Sequence, residues 1–240
     1  MGGLVPDSLG RGRRACDLIA SRSLLREVAL GLGAYAAYLT VRRAVLTPEG
    51  RLRALHNAGR VVALERHLGI DIERPVQRAA LRMPRLVHAL NIGYAGANVT
   101  LSVGWLVLLR RRRDPGFARE RRAALAAFLG ALPVFLVLPV APPRALDGYV
   151  DTLAARGIDI EHPFLVRFYN PIAAMPSHHL AFAVVTGAGL AARARSRRGR
   201  TAWRAYPPFV GLVVVATGNH YLLDAIAGAA LGAAARAVTR

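Results

Sequence analysis

The sequence predicts an all-α integral membrane protein: a bundle of six spanning helices, with an amphipathic helix at the interface between the first two spans. Three observations carry that prediction. Apolar runs with little or no charge recur at residues 28–41, 86–109, 123–143, 168–192, 205–217 and 221–238. A spanning helix needs ~20 mostly apolar residues, which the second, third and fourth runs supply unaided. Arginines cluster at the ends of these runs, above all at 110–113 and 193–204, as on the cytoplasmic flanks of membrane helices. All 33 basic residues are arginine, and the formal net charge is +19. Such a balance is also the footprint of nucleic-acid binding, but placement at the ends of apolar runs argues against a nucleic-acid partner.

Taken in order, residues 1–23 are polar, Gly- and Arg-rich, and lack an apolar core of their own. They read as a cytoplasmic tail rather than a cleavable signal; residues 24–240 form a single membrane-embedded domain. The first run is short, but Arg26, Arg42 and Arg43 can snorkel from its ends. Residues 48–84 are too charged to span. There Leu52, Leu55, Val62 and Leu68 recur at helical spacing opposite Arg53, His56, Arg60 and Arg66, the pattern of an interfacial amphipathic helix.

The loops at 110–122 and 193–204 are strongly basic, whereas in 141–175 Asp147, Asp151, Asp159 and Glu161 offset the arginines. The positive-inside rule places the basic loops and both termini in the cytoplasm and 141–175 outside. Residues 42–85 then lie outside with ten arginines, which are expected to meet anionic head groups. Thr217-Gly218-Asn219 breaks the last two runs, and Gly228 and Gly232 form a small-xxx-small pair suited to close helix packing. Cys16 is the single cysteine, so no intrachain disulfide forms.

Chemistry concentrates near the outer face. Asp224 is the only formally charged side chain between residues 205 and 235, and a carboxylate among membrane helices costs a few kcal/mol unless it has a partner. His220 lies four residues earlier, so on one helix face Asp224 accepts from its imidazole. Pro176-Ser177-His178-His179 opens the preceding apolar run. Ser177 suits an N-cap, and the helix N-terminus that follows offers free N–H groups to a phosphate. Either His178 or His179 can be the active member on spacing alone. Arg144, after Pro142-Pro143, supplies a fork for phosphate oxygens. A zinc site of His178, His179, His220 and Asp224 is the metal alternative; adjacent histidines diverge on a helix, so no metal is assigned.

These motifs resemble the type 2 phosphatidic acid phosphatase superfamily, whose signature has a Lys…Arg-Pro element, then Pro-Ser-Gly-His, then Ser-Arg followed by His-xxx-Asp. Pro176-Ser177-His178-His179 resembles the second element with His178 in place of glycine, and His220-Tyr221-Leu222-Leu223-Asp224 the end of the third. Arg144 is what remains of the first. The signature lysine is absent, and its second arginine would fall at Val214. The branch similar to inositol phosphorylceramide synthase and its bacterial relatives also lacks that arginine. Asn170-Pro171-Ile172-Ala173-Ala174-Met175-Pro176-Ser177 and Ala216-Thr217-Gly218-Asn219-His220 look like that branch, as does Asn57-Ala58-Gly59-Arg60…Glu65 more distantly.

The resemblance implies a metal-independent, cofactor-free phosphoryl transfer on a membrane lipid phosphate. His220 would be the nucleophile, Asp224 its partner and His179 the general acid and base. Arg144, Ser177 and the backbone of His178 would bind the phosphate, with Arg167 and Arg60 as further cations. Water, or an alcohol such as a sugar or inositol, would be the acceptor. A site at the outer face of a bacterial inner membrane fits this scheme. The alternative is a non-catalytic lipid carrier or scaffold with a degenerate site.

Overall fold

A computed structural model describes residues 8–239 apart from 158 and 160. Among them the regular structure is helical: α1 (Ser8–Val45), α2 (Pro48–His67), α3 (Glu73–Leu81), α4 (Pro84–Ile92), α5 (Asn98–Arg111), α6 (Phe117–Val137), α7 (His178–Arg193), α8 (Arg197–Ala216) and α9 (Leu222–Val238). A single isolated parallel bridge pairs Val140 with Ala173 among the described residues. Of the tail read at 1–23, residues 1–7 lie outside the described residues and 8–23 run helically into α1.

Local chemistry sets the boundaries. Thr47 caps α2, its hydroxyl accepting from Gly50 N–H at 3.0 Å, and Pro48 takes the first helical turn, where no N–H is missed. Ser177 and Ser196 cap α7 and α8 in the same way. α4 passes through a π turn at Gly93–Ala97 into α5, so the second apolar run is one helical path. The fourth run becomes helical only at His178. The basic segment 110–122 is mostly helix too, because α6 begins at Phe117.

By length and composition, one helical segment among those described, Leu24–Val45 with a mean hydropathy of 1.2, can cross a membrane. The helices built on the other apolar runs are shorter or carry charges: α7 has 16 residues and α9 has 17, while α6 opens with Arg119, Glu120, Arg121 and Arg122.

The expected amphipathic segment, 48–84, holds more than one helix. This stretch folds as two helices, α2 and α3, and of the four apolar positions expected on one face only Val62 turns inward. Leu52, Leu55 and Leu68 are exposed. The docked face of α2 is Gly50, Ala54, Asn57, Ala58, Val61, Val62 and Glu65. Small residues let the helix lie close to the chain after α6: Asn57 Nδ2 donates to the Pro139 carbonyl at 2.9 Å, and Ala141 N–H to the Ala54 carbonyl at 3.1 Å. Close main-chain approach, not leucine burial, orients this helix.

α7 is the central helix, packed against α5, α6, α8 and α9. Its interface with α9 is built from small residues. A Cβ on Gly228 would sit 2.2 Å from the Ser177 carbonyl oxygen, and one on Gly232 2.6 Å from that of Ala181, so the expected glycine pair packs on the first turns of α7. At the other end of α7, the buried Glu120 accepts from Arg193 Nη1 at 3.1 Å and Arg236 Nη1 at 2.8 Å, tying α6, α7 and α9 together. Arg193 also pairs with Asp114 at 3.0 Å.

Gly228→Ala is expected to destabilise the fold by about 1–3 kcal/mol, the usual cost of forcing atoms into a closed interface. Gly31 has open space around it, so Gly31→Ala should be neutral or slightly stabilising. Thermal unfolding in detergent compares the two, and equal midpoints would contradict the close α7–α9 contact.

Candidate active site

The turn between α8 and α9 is the frame of the site. The Val214 carbonyl accepts from Asn219 N–H at 3.0 Å and His220 N–H at 3.2 Å, and Gly218 supplies the positive φ of 71° that the reversal needs. α9 starts at Leu222, so His220 precedes the helix instead of lying on it. The contact with Asp224 therefore arises differently from the expected shared helix face. Asp224, in the first turn of α9, reaches back to accept from Tyr221 N–H at 3.0 Å, and the same Oδ2 lies 3.4 Å from His220 Nδ1. The second distance is a close approach without hydrogen-bond alignment.

α7 brings the second histidine. Ser177 N–H donates to the Asp224 carbonyl at 3.0 Å, fixing the start of α7 to the start of α9. His179 then faces His220, with ring centroids 5.7 Å apart, and stacks on Tyr94 at 4.5 Å. His179 Nε2 lies 3.2 Å from the Tyr94 carbonyl. A carbonyl only accepts, so Nε2 carries the hydrogen and Nδ1 is the nitrogen left for proton exchange.

His178 takes another path. It stacks on Phe128 at 4.9 Å, and its Nε2 bonds the Phe128 carbonyl at 3.1 Å. The two histidines that the sequence left equivalent are thereby distinguished: His179 pairs with His220, and His178 packs among aromatic rings. The divergence also keeps the four groups of the zinc alternative from converging.

A cavity of about 150 Å³ collects these groups, lined among others by Tyr38, Tyr94, Arg144, Asn170, His178, His179 and His220. Arg144 is held by Asn219 Oδ1 on Nη1 and by Asp151 Oδ2, 3.3 Å from Nε. Its N–H also donates to the Gly218 carbonyl at 2.9 Å, so the guanidinium rides on the same turn as His220. Of the six residues expected at the site, two are not in this wall: Asp224, which approaches His220 Nδ1, and Ser177. Ser177 is fully buried and its Oγ is engaged by Leu180 N–H at 3.4 Å. Arg60 and Arg167 are not in the wall either.

The structure adds Asn170. Its Oδ1 accepts from Ile172 N–H at 3.2 Å, which fixes the amide orientation and leaves Nδ2, a buried donor, with no partner. An Asn two residues before an N–H is an ordinary turn signal, so nothing in the sequence marked it as a site residue.

The sequence model of the PAP2 superfamily matches residues 59–238, three quarters of the chain. The chain belongs to the PAP2 superfamily. No curated protein and no solved structure matches it significantly. Membership points to phosphatase or phosphotransferase chemistry, and the matched region contains both histidine segments, Arg144 and the chain that supports them.

In this PAP2 protein the missing arginine has a structural counterpart. Val214 is fully buried in an apolar cluster with Leu180, Ala183, Val210 and Ala225, and an arginine there would lose its hydration without gaining a partner. Among the described residues Arg144 is the one arginine in the cavity wall.

Two further acids support the turn. Leu222 N–H donates to Glu73 Oε1 and Leu223 N–H to Glu65 Oε1, each at 2.7 Å. Burial pushes the Glu65 carboxyl up to about 8, with the neighbouring Glu73 and Asp224 carboxyls adding to the rise. The folded protein thus keeps a proton that the unfolded chain releases near the ordinary glutamate value of about 4.3. Stability is expected to fall as pH rises through that window. The unfolding temperature should decline between about pH 5 and about pH 8, and less so in Glu65→Gln; parallel slopes would remove Glu65 as the cause.

Proposed function

We propose that this protein is a membrane enzyme that moves a phosphoryl or larger phospho group from a lipid phosphate through a phosphohistidine on His220. The acceptor is water or an alcohol such as a sugar or inositol. The observation that carries the reading is the facing pair of His179 and His220, ring centroids 5.7 Å apart, in one cavity wall with Arg144.

Asp224 on the Nδ1 side favours the tautomer whose lone pair is on Nε2. Nε2 attacks phosphorus as the bond to the leaving alkoxide breaks, and His179 gives that oxygen its proton from Nδ1. In the second step His179 takes the proton of the acceptor hydroxyl, the acceptor oxygen bonds phosphorus, and the N–P bond breaks to restore His220. Arg144, the unpartnered Asn170 Nδ2 and the His178 N–H at the start of α7 stabilise the equatorial oxygens. Ser177 contributes through its cap and its bond to Asp224 rather than by touching phosphate. Every step uses groups of this chain without a metal or cofactor.

The reading includes a bundle that spans the membrane six times. Its packing supports this: the interior is dominated by small residues such as Ala127, Ala131, Ala181 and Ala183, while Leu32, Val103, Leu136, Phe209 and Ile226 are exposed on the outside. Membrane bundles pack this way because lipid solvates the large side chains and small ones let backbones approach. The basic ends of α5 and α7 then face the cytoplasm and the cavity faces outward, in a bacterial inner membrane. Within the superfamily we assign the chain to the branch resembling inositol phosphorylceramide synthase, on the Asn170–Ser177 and Ala216–His220 segments and the apolar residue at position 214.

The test is turnover of a panel of lipid phosphates and phosphodiesters by detergent-purified protein in excess EDTA, with and without inositol or sugar acceptors. Wild-type protein is expected to be active under chelation and His220→Ala inactive. His179→Ala should lose about 10²–10⁴-fold, the usual contribution of a general acid–base group. Activity abolished by EDTA would overturn the metal-free chemistry. Lipid binding without turnover, unchanged in His220→Ala, would establish the carrier alternative.

A further inference from the structure

Behind His220, on the side away from the cavity, three acids converge on the first turn of α9. The amide hydrogens of Tyr221, Leu222 and Leu223 go in sequence to Asp224, Glu73 and Glu65, at 3.0, 2.7 and 2.7 Å. All three carboxyls are fully buried. Each uses one oxygen on an amide, while Glu65 Oε2, Glu73 Oε2, Asp224 Oδ1 and the Tyr221 hydroxyl have no partner.

No arginine pairs with Glu65 or Glu73 among the described residues. The other titratable neighbours are Asp71, whose carboxyl faces Glu73, and Tyr149, with Arg74 lying over the Tyr149 ring at 5.1 Å. Asp71 is itself paired with Arg66 at 3.0 Å.

A helix N-terminus welcomes negative charge, but three anions side by side away from water repel one another strongly. The arrangement is satisfied if the glutamates share protons. A hydrogen between Glu65 and Glu73 fills their free oxygens and leaves both Oε1 atoms as amide acceptors. Asp224 Oδ2 faces both an amide and an imidazole. Raised carboxyl values at Glu65 and Glu73, caused first by burial, agree with this.

We propose that Glu65 and Glu73 are positioning residues for His220: a proton-sharing carboxyl pair that fixes the first turn of α9 and so holds Asp224 against the imidazole. The proposal rests on the reading of His220 as nucleophile. Neither glutamate touches substrate. Each acts by setting where Asp224 sits and by adding no second anion beside it. Such coupled acids titrate as a unit, and when the pair loses its proton at alkaline pH, repulsion opens the turn.

The experiment has two readouts on full-length protein in detergent. Infrared spectroscopy looks for the carbonyl stretch of protonated carboxylic acids at neutral pH in wild type, Glu65→Gln and Glu73→Gln. The band is expected in wild type and should shrink in each variant. Its absence in wild type overturns the shared proton whatever the enzyme does. Steady-state kinetics then compares Ala and Gln variants across pH, with thermal unfolding confirming that each is folded. Glu65→Ala should lower kcat at least about tenfold with KM nearly unchanged, because orientation is lost and phosphate contacts are not. Glu65→Gln should rescue most of that loss and abolish the decline of wild-type activity above about pH 8. Folded Ala variants with unchanged kcat and pH profile, or Gln variants as impaired as Ala, overturn the positioning role. Wild-type protein that turns over no phosphate substrate counts against the nucleophile assignment, and the infrared band still decides the pair.

Discussion

The 3.0 Å hydrogen bond from Ser177 N–H to the Asp224 carbonyl joins two chain segments that each carry a histidine, and the rest of the site is arranged around it. It can form because α9 has no side chain where it crosses the start of α7. Gly228 and Gly232 meet the carbonyl oxygens of Ser177 and Ala181 directly. With the main chains in contact, His179 in the first turn of α7 and His220 just before α9 face each other. Glu65 and Glu73 hold the same turn from α2 and α3, which ties the segment between α1 and α4 to the start of α9.

The features legible in the sequence are those with a local cause. The Thr217-Gly218-Asn219 break, the Ser177 cap, the glycine pair and the nearness of His220 to Asp224 all follow from residues within a few positions of one another. The structure moved His220 off the helix but kept the contact, because a residue in the first turn reaches back to the cap as readily as one helix face joins positions four apart.

What the sequence left hidden depends on long-range contact. Glu65 and Glu73 meet α9 across 158 and 149 residues; Glu65 ended a distantly resembling segment without a role attached to it, and Glu73 looked like any surface glutamate. The docked face of α2 was hidden for a related reason. Periodicity of leucines predicts burial where large side chains fill the core, and here alanine, glycine and asparagine make the contact. Asn170 opened a resembling segment without a role of its own, because its turn chemistry explains it fully until the residue is seen in the cavity wall with its Nδ2 unpartnered.

The joining of α7 to α9 through main-chain atoms has a consequence for turnover. Two imidazoles on flexible side chains would have to be brought into register in each catalytic cycle, at an entropic cost within the activation barrier. In this protein that ordering is completed once, when the chain folds, because the separation of the rings is fixed by backbone contacts and by neighbours already in place. Under the proposed mechanism, substrate binding then has only the phosphate to orient, and effective concentrations of the kind measured for rigid intramolecular reactions become available to the pair.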